Sequence, residues 1–123
     1  MKRILICDDE ADIREVLEML IEVEFDVEII HASDGQEGID KLQSDPKLDL
    51  IICDMNMPHK KGSDVFTVNK SLNNIPFVLL CGDSDDVEKF EEFKSSNTHN
   101  TQISKPWNED ELYNKLGLIL KSS

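Results

Sequence analysis

Acidic residues end two of the most apolar segments of the chain. Asp54 follows the run Leu50–Cys53, and Asp8 and Asp9 follow the run Arg3–Cys7. Segments without polar alternation are typical of strands that are covered on both faces of a sheet. Because ligands collect at the carboxyl ends of parallel strands, we expect the three carboxylates to meet at one edge of the sheet. Their mutual repulsion favours a hard divalent cation, and Mg²⁺ binds oxygen ligands of this kind.

A lysine stands where another strand ends. The short segment Thr101–Ser104 is followed by Lys105 and Pro106. This order places one ammonium group opposite the three carboxylates. Lysine is a compact point charge that suits an anion such as an acyl phosphate. We therefore expect Lys105 to complete a charged site around Asp54.

Apolar segments alternate with amphipathic segments along the whole chain. The apolar segments, which we predict as strands, are Arg3–Cys7, Val27–Ile30, Leu50–Asp54, Ile75–Leu80 and Thr101–Ser104. The amphipathic segments, which we predict as helices, begin after Asp12 and Gly35 and at Gly62, Asp83 and Asn108. This βα repetition predicts a parallel sheet with helices on both faces. The predicted fold class is α/β, a flavodoxin-like doubly wound parallel sheet with five strands in the order 2-1-3-4-5 and five helices.

Flavodoxin-like sheets serve several functions, so the residues at the sheet edge must decide between them. A flavin phosphate requires a loop of free amides, rich in Ser, Thr or Gly, after the first strand. This chain has Asp8 and Asp9 there. Phosphatases of the haloacid dehalogenase type need Asp-x-Asp after the catalytic strand, whereas the residue two positions beyond Asp54 is Asn56. The carboxylates repel a bare phosphate, and they favour cation-assisted phosphorylation of a carboxylate.

Length and composition limit the class of protein. A chain of 123 residues corresponds to one domain, which we assign to residues 1–123. The net charge of −13 argues against a nucleic-acid partner, because a polyanion would repel the protein. No apolar stretch approaches the roughly 18 residues that cross a bilayer, and Met1–Arg3 leads into a strand rather than a signal sequence. We therefore expect a cytoplasmic protein without a membrane partner.

Three cysteines and a histidine at a strand end are alternative metal ligands. Cys7, Cys53 and Cys81 lie in or at the ends of predicted strands and form no Cys-x-x-Cys pair. Free cysteine behaves as a small hydrophobic residue, so we predict buried, reduced thiols and no zinc site. A histidine at the end of a strand, such as His31, is more often a surface or capping residue than a ligand.

The order and spacing of these residues resemble the receiver domains of bacterial two-component response regulators, and the resemblance runs from Lys2 to about Lys121. The shared features are the pair Asp8 and Asp9, Asp54 followed by the loop Met55–Pro58, Gly62 eight residues after Asp54, and the pair Lys105 and Pro106. The resemblance implies a stand-alone receiver that acts in a two-component system or a phosphorelay.

The resemblance also implies how the site residues act. Asp54 would take a phosphoryl group from a histidine kinase or a histidine phosphotransfer protein, and Lys105 would pair with a phosphoryl oxygen. Mg²⁺ would be held by Asp9, Asp54 and the main-chain carbonyl of Asn56, with Asp8 acting through water. The receiver would promote only its own phosphorylation and dephosphorylation, and it would not be an enzyme toward other substrates.

Two positions depart from the receiver pattern. Cys81 stands where receivers usually carry Thr or Ser, and Gln102 stands where they usually carry an aromatic residue, three positions before the lysine. In the usual switch the hydroxyl moves onto the phosphoryl group while the aromatic ring turns inward. A thiol is a weak hydrogen-bond donor, so both halves of that switch are altered here. The alternative interpretation is an atypical receiver that binds its partners without phosphorylation or through a non-standard switch.

The resemblance implies a binding surface for an output protein and a short lifetime of the phosphorylated state. An output protein would bind the surface formed by the fourth predicted helix, the fifth strand and the last helix. Asn56 and Asp83 occupy the positions that flank the path of the hydrolytic water. Both side chains are small and polar and can orient a water molecule for in-line attack. We therefore expect a short-lived phosphoryl group on Asp54.

Overall fold

All five predicted strands pair into one parallel sheet. A computed structural model describes residues 1–45, 47–82 and 97–121 of the chain. The strands are β1 Lys2–Cys7, β2 Val27–Ala32, β3 Leu50–Asp54, β4 Phe77–Cys81 and β5 Thr101–Ser104. They lie in the order β2-β1-β3-β4-β5, and every neighbouring pair is parallel. The predicted strand order and fold class are confirmed.

Four of the five predicted helices lie within the described residues. They are α1 Ala11–Glu24, α2 Gly35–Ser44, α3 Gly62–Ser71 and α4 Glu109–Leu120. The predicted cap at Asn108 is confirmed, since its side chain accepts a hydrogen bond from the main-chain N–H of Glu111 at 3.2 Å. The remaining predicted helix, which was expected to begin at Asp83, lies outside the described residues.

The fourth strand begins later than its apolar run predicts. Its first residue is Phe77 rather than Ile75. The buried side chain of Asn69 explains the difference, because it donates to the main-chain carbonyl of Ile75 at 2.8 Å and accepts from the N–H of Ile75 at 3.1 Å. Pro76 supplies no N–H. The backbone of Ile75 is therefore bonded to the end of α3 rather than to the sheet.

The core consists of two layers, one on each face of the sheet. All residues of β3 and β4 are buried, because alternate side chains enter opposite layers. The layer under α2 and α3 includes Leu5, Cys7, Ile51, Cys53, Phe66 and Phe77, and the layer under α1 and α4 includes Ile4, Ile6, Leu17, Ile52, Leu80 and Leu116. The three cysteines are buried and free, as predicted. None of the described helices has the length and apolar character needed to cross a bilayer.

Candidate functional site

The three predicted carboxylates meet at the carboxyl edge of the sheet. Cys7 of β1 and Cys53 of β3 are register partners, so the residues that follow them emerge side by side. Ligand oxygens of Asp8, Asp9 and Asp54 all lie within 4.8 Å of one another. Asp8 is fully buried and Asp54 is 8% exposed, whereas Asp9 is exposed. The cluster therefore has a buried floor and one side that is open to solvent.

Lys105 brings a positive charge to this cluster from the far side of β4. Its Nζ lies 2.9 Å from Oδ2 of Asp8 and 3.3 Å from Oδ2 of Asp54. Its main-chain N–H donates to the carbonyl of Cys81 at 2.7 Å, which fixes the start of the side chain at the end of β4. The bond to Pro106 is cis. One ammonium group thus faces three carboxylates.

Asp8 is held at every polar group that it carries. Its Oδ1 accepts the main-chain N–H of Glu10 at 2.9 Å, and its Oδ2 accepts Lys105. Its own N–H donates to the carbonyl of Ala32 at 3.1 Å, and its carbonyl accepts Nη1 of Arg14 at 2.6 Å. Both carboxylate oxygens of Asp8 are therefore already engaged inside the protein. Arg14 lies in the first turn of α1, five residues after Asp9, and no sequence pattern indicates its contact with the Asp8 carbonyl.

The electrostatics of the site follow from its burial and its excess of acids. Burial raises the pKa of Asp54, and the neighbouring Asp8 carboxylate adds to this, so that Lys105 and the main-chain N–H of Asn56 do not return it to its ordinary value. Burial alone would lower the pKa of Lys105, but Asp8 and Asp54 outweigh it and raise that pKa. Lysine thus stays charged while the site keeps a net negative charge.

The donor set of this site fits Mg²⁺. The three carboxylates supply hard oxygen ligands, and the single lysine does not neutralise them. Asp9 is open to solvent, so an ion can keep several of its waters there. The acidic cluster therefore suggests Mg²⁺ binding.

The loop after β3 depends on a glycine. The N–H of Met55 donates to the carbonyl of Leu80 at 3.1 Å, and the N–H of Gly62 donates to the carbonyl of Met55 at 3.0 Å. A Cβ atom on Gly62 would lie 2.5 Å from the carbonyl oxygen of Asp54. The start of α3 can therefore approach the Asp54 backbone only because residue 62 has no side chain. Asn56, in this loop, is exposed beside the site.

The two positions that depart from the receiver pattern contact each other. Cys81, at the end of β4, is 6% exposed. Its Sγ lies 3.7 Å from the side-chain oxygen of Gln102 and 3.8 Å from the carbonyl oxygen of Leu79, which are the two acceptors within reach of its single S–H. The main-chain carbonyl of Gln102 accepts Nζ of Lys115 from α4 at 2.5 Å. Asp83, which is expected to flank the path of the hydrolytic water together with Asn56, lies outside the described residues.

Comparison with known proteins identifies relatives of this chain. The family model described as "Response regulator receiver domain" matches residues 4–117. The transcriptional regulatory protein CpxR of Escherichia coli strain K12 is 28% identical over 124 residues, which cover 100% of this chain and 51% of CpxR. The chain thus spans about half the length of the curated relatives that it matches first.

Solved structures give the same result for the fold. The response regulator protein TrrA from Thermotoga maritima, solved in complex with Mg²⁺ and BeF, is 31% identical with a TM-score of 0.79, covering 98% of this chain and 100% of that chain. A response regulator receiver domain protein from Clostridium thermocellum has a TM-score of 0.83 over 98% of this chain and 95% of that chain. At 24% identity, the second likeness shows the fold alone.

Proposed function

This chain belongs to the response regulator receiver domain family, and we propose that Asp54 is its phosphoacceptor in two-component or phosphorelay signalling. One observation carries the proposal. Asp54 lies at the carboxyl edge of the sheet, with its carboxylate within 4.8 Å of ligand oxygens of Asp8 and Asp9 and 3.3 Å from the ammonium group of Lys105. Carboxylate, cation ligands and lysine are the parts that phosphorylation of an aspartate needs.

In the proposed reaction, an oxygen of Asp54 attacks the phosphorus of a phosphohistidine. The new O–P bond forms as the N–P bond breaks, and the electron pair of that bond remains on the imidazole nitrogen. Lys105, 3.3 Å from Asp54, is close enough to pair with a phosphoryl oxygen. Asp9, Asp54 and the main-chain carbonyl of Asn56 would hold Mg²⁺, and Asp8 would act through water. When bound, the ion offsets negative charge on the transferred group.

Burial of the site supports the role of Asp54 as the nucleophile. Asp54 has the raised pKa that follows from burial and a neighbouring acid, and a carboxylate with a higher pKa is a stronger nucleophile. We propose that exposed Asn56 admits water for hydrolysis, which is the only other reaction that we propose for this chain.

Receiver domains in general interact with histidine kinases and output domains. We propose that the donor for this chain is a histidine kinase or a histidine phosphotransfer protein in the cytoplasm. We propose that the output protein binds the surface formed by the predicted helix after Asp83, by β5 and by α4. Gln102 of β5 contacts Cys81 at the end of β4 and Lys115 of α4. A conformational change at the end of β4 could therefore reach this surface through Gln102.

The contact between Cys81 and Gln102 supports the second candidate, an atypical receiver with a non-standard switch or without dependence on phosphorylation. The thiol of Cys81 is a weak hydrogen-bond donor and already contacts the amide of Gln102. It therefore has a weaker tendency to move onto a phosphoryl group than the hydroxyl of Thr or Ser would have. The two candidates share the acidic site and differ in its coupling to partners.

The direct test is labelling with a small phosphodonor such as acetyl phosphate, with and without Mg²⁺. We expect one phosphoryl group per chain in wild type, none in Asp54→Asn and none in wild type with a chelator. Asp40→Asn removes an exposed acid from α2 and serves as the matched control, which should be labelled like wild type. Equal labelling of Asp54→Asn and wild type would refute the proposed phosphoacceptor.

A further inference from the structure

Arg14 contacts the acidic site, and none of the roles above requires this contact. Its Nη1 donates to the main-chain carbonyl of Asp8 at 2.6 Å, a charge-assisted hydrogen bond. Its Nε donates to Nδ1 of His31 at 3.2 Å. Among the described residues, Arg14 forms no ion pair with the site carboxylates. Its guanidinium therefore binds a main-chain carbonyl of the site and does not compete with a metal ion for carboxylate oxygens.

A histidine and a glutamate fix the orientation of this guanidinium. Arginine nitrogens only donate, so Nδ1 of His31 must accept and the proton of the neutral ring lies on Nε2. That nitrogen is 3.3 Å from Oε1 of Glu18, an acceptor on the same helix as Arg14. The contacts run from Glu18 through His31 and Arg14 to the carbonyl of Asp8. They connect α1, the edge strand β2 and the loop that carries Asp8 and Asp9.

The Asp8 carbonyl belongs to the peptide group that leads into Asp9. The preceding peptide group is fixed too, because the N–H of Asp8 donates to the carbonyl of Ala32 on β2. With both peptide groups held, the backbone of Asp9 has a defined direction although its side chain is exposed. Partners outside the ligand shell that orient ligands in this way commonly change metal affinity by about 10–100-fold when they are removed.

We propose that Arg14 is a positioning residue that, through the Asp8 carbonyl, holds Asp9 in the orientation needed to bind Mg²⁺, and that His31 holds Arg14. The inference rests on the proposed function, because it concerns the same site. It assigns Arg14 no contact with the phosphoryl group or the ion. The change in Mg²⁺ affinity expected on replacing Arg14 is opposite in sign to a simple charge effect, since removal of a nearby positive charge would by itself strengthen Mg²⁺ binding.

The test compares Mg²⁺ affinity, measured by titration, with the free energy of unfolding. We expect Arg14→Met to weaken Mg²⁺ binding roughly tenfold. Arg14→Lys keeps the charge but not the two-donor fork, and we expect it to weaken binding as well. His31→Phe removes the acceptor for Arg14 together with the contact between His31 and Glu18, and it should change affinity in the same direction. The amide chemical shifts of Asp9 should move in all three variants before any metal is added.

Arg3→Lys is the matched control. Arg3, the other arginine of the chain, pairs with Glu28 and Asp45 at the opposite edge of the sheet, so its loss should lower stability without changing Mg²⁺ affinity. Unchanged or tighter Mg²⁺ binding in Arg14→Lys and His31→Phe, with wild type binding Mg²⁺ and accepting phosphate, would overturn the role of Arg14 alone. Failure of wild type to bind Mg²⁺ would overturn both this role and the proposed function.

Discussion

Two glycines of this chain should respond to the same substitution in opposite directions. In Gly62→Ala the new methyl group would lie 2.5 Å from the carbonyl oxygen of Asp54 and 3.0 Å from Cα of Met55. Both neighbours are backbone atoms, which cannot rotate away. Such overpacking costs about 1–3 kcal/mol. Gly117 lies inside α4 with nothing within 4 Å of the corresponding position, so Gly117→Ala should gain about 0.5–1 kcal/mol through helix propensity.

Melting temperatures and urea unfolding measure the difference. At roughly 2.1 cal/mol/K of unfolding entropy per residue, 1 kcal/mol corresponds to about 4 °C for a chain of 123 residues. We therefore expect Gly62→Ala to melt about 4–12 °C lower than wild type and Gly117→Ala to melt about 2–4 °C higher. Gly62→Ala should also bind Mg²⁺ more weakly, because the displaced backbone carries Asp54. A Gly62→Ala protein with wild-type stability and Mg²⁺ affinity would refute the close approach of α3 to Asp54.

Four further predictions concern the site. Mg²⁺ at ten times its dissociation constant should add about 1.4 kcal/mol to the free energy of unfolding of wild type. Melting curves should show the same gain for the control variant Glu22→Gln, which replaces an exposed acid of α1. A similar gain in Asp9→Asn would argue against the site. Burial raises the pKa of Asp54 in the folded protein, so the protonated carboxyl group favours folding, and this contribution to the free energy of unfolding is lost as pH rises through that pKa. Without metal, Asp54→Asn should therefore melt at a higher temperature than wild type at neutral pH. The difference in melting temperature should disappear below about pH 4, where the carboxyl group is protonated in the unfolded chain as well. Cys81→Thr supplies a stronger donor and should enlarge the amide shift changes that beryllofluoride causes on α4, whereas identical changes in both proteins would assign the thiol a structural role. Asn56→Leu should slow phosphate release after donor removal by restricting water, and an equal or faster rate would contradict that role.

The sequence predicted the sheet well because burial leaves a simple pattern. Each side chain of β3 and β4 except Asp54 enters one of two apolar layers, so uninterrupted apolar runs identify the strands. Their ends identify the edge at which Asp8, Asp9, Asp54 and Lys105 meet, since parallel strands end on the same side. The fold and the position of the acidic cluster thus follow from local pattern and topology together.

Contacts that depend on register or on distant side chains could not be predicted in this way. The shorter start of β4 results from the amide of Asn69 bonding to Ile75, which no apolar pattern indicates. The contact between Cys81 and Gln102 follows from the pairing of Leu79 with Gln102, and register is not visible in a single sequence. Arg14 was missed for a related reason, because its acceptor is a main-chain carbonyl rather than an acid.

Locating the phosphoryl group at residue level tests the central claim most directly. Wild-type protein is treated with acetyl phosphate and Mg²⁺, the acyl phosphate is reduced with borohydride to homoserine, and peptides are mapped by mass spectrometry. The account predicts conversion at Asp54 alone, dependent on Mg²⁺ and reduced when Lys105 is replaced by Met. Conversion at another carboxylate, or an unmodified Asp54 in protein that carries phosphate, would contradict it.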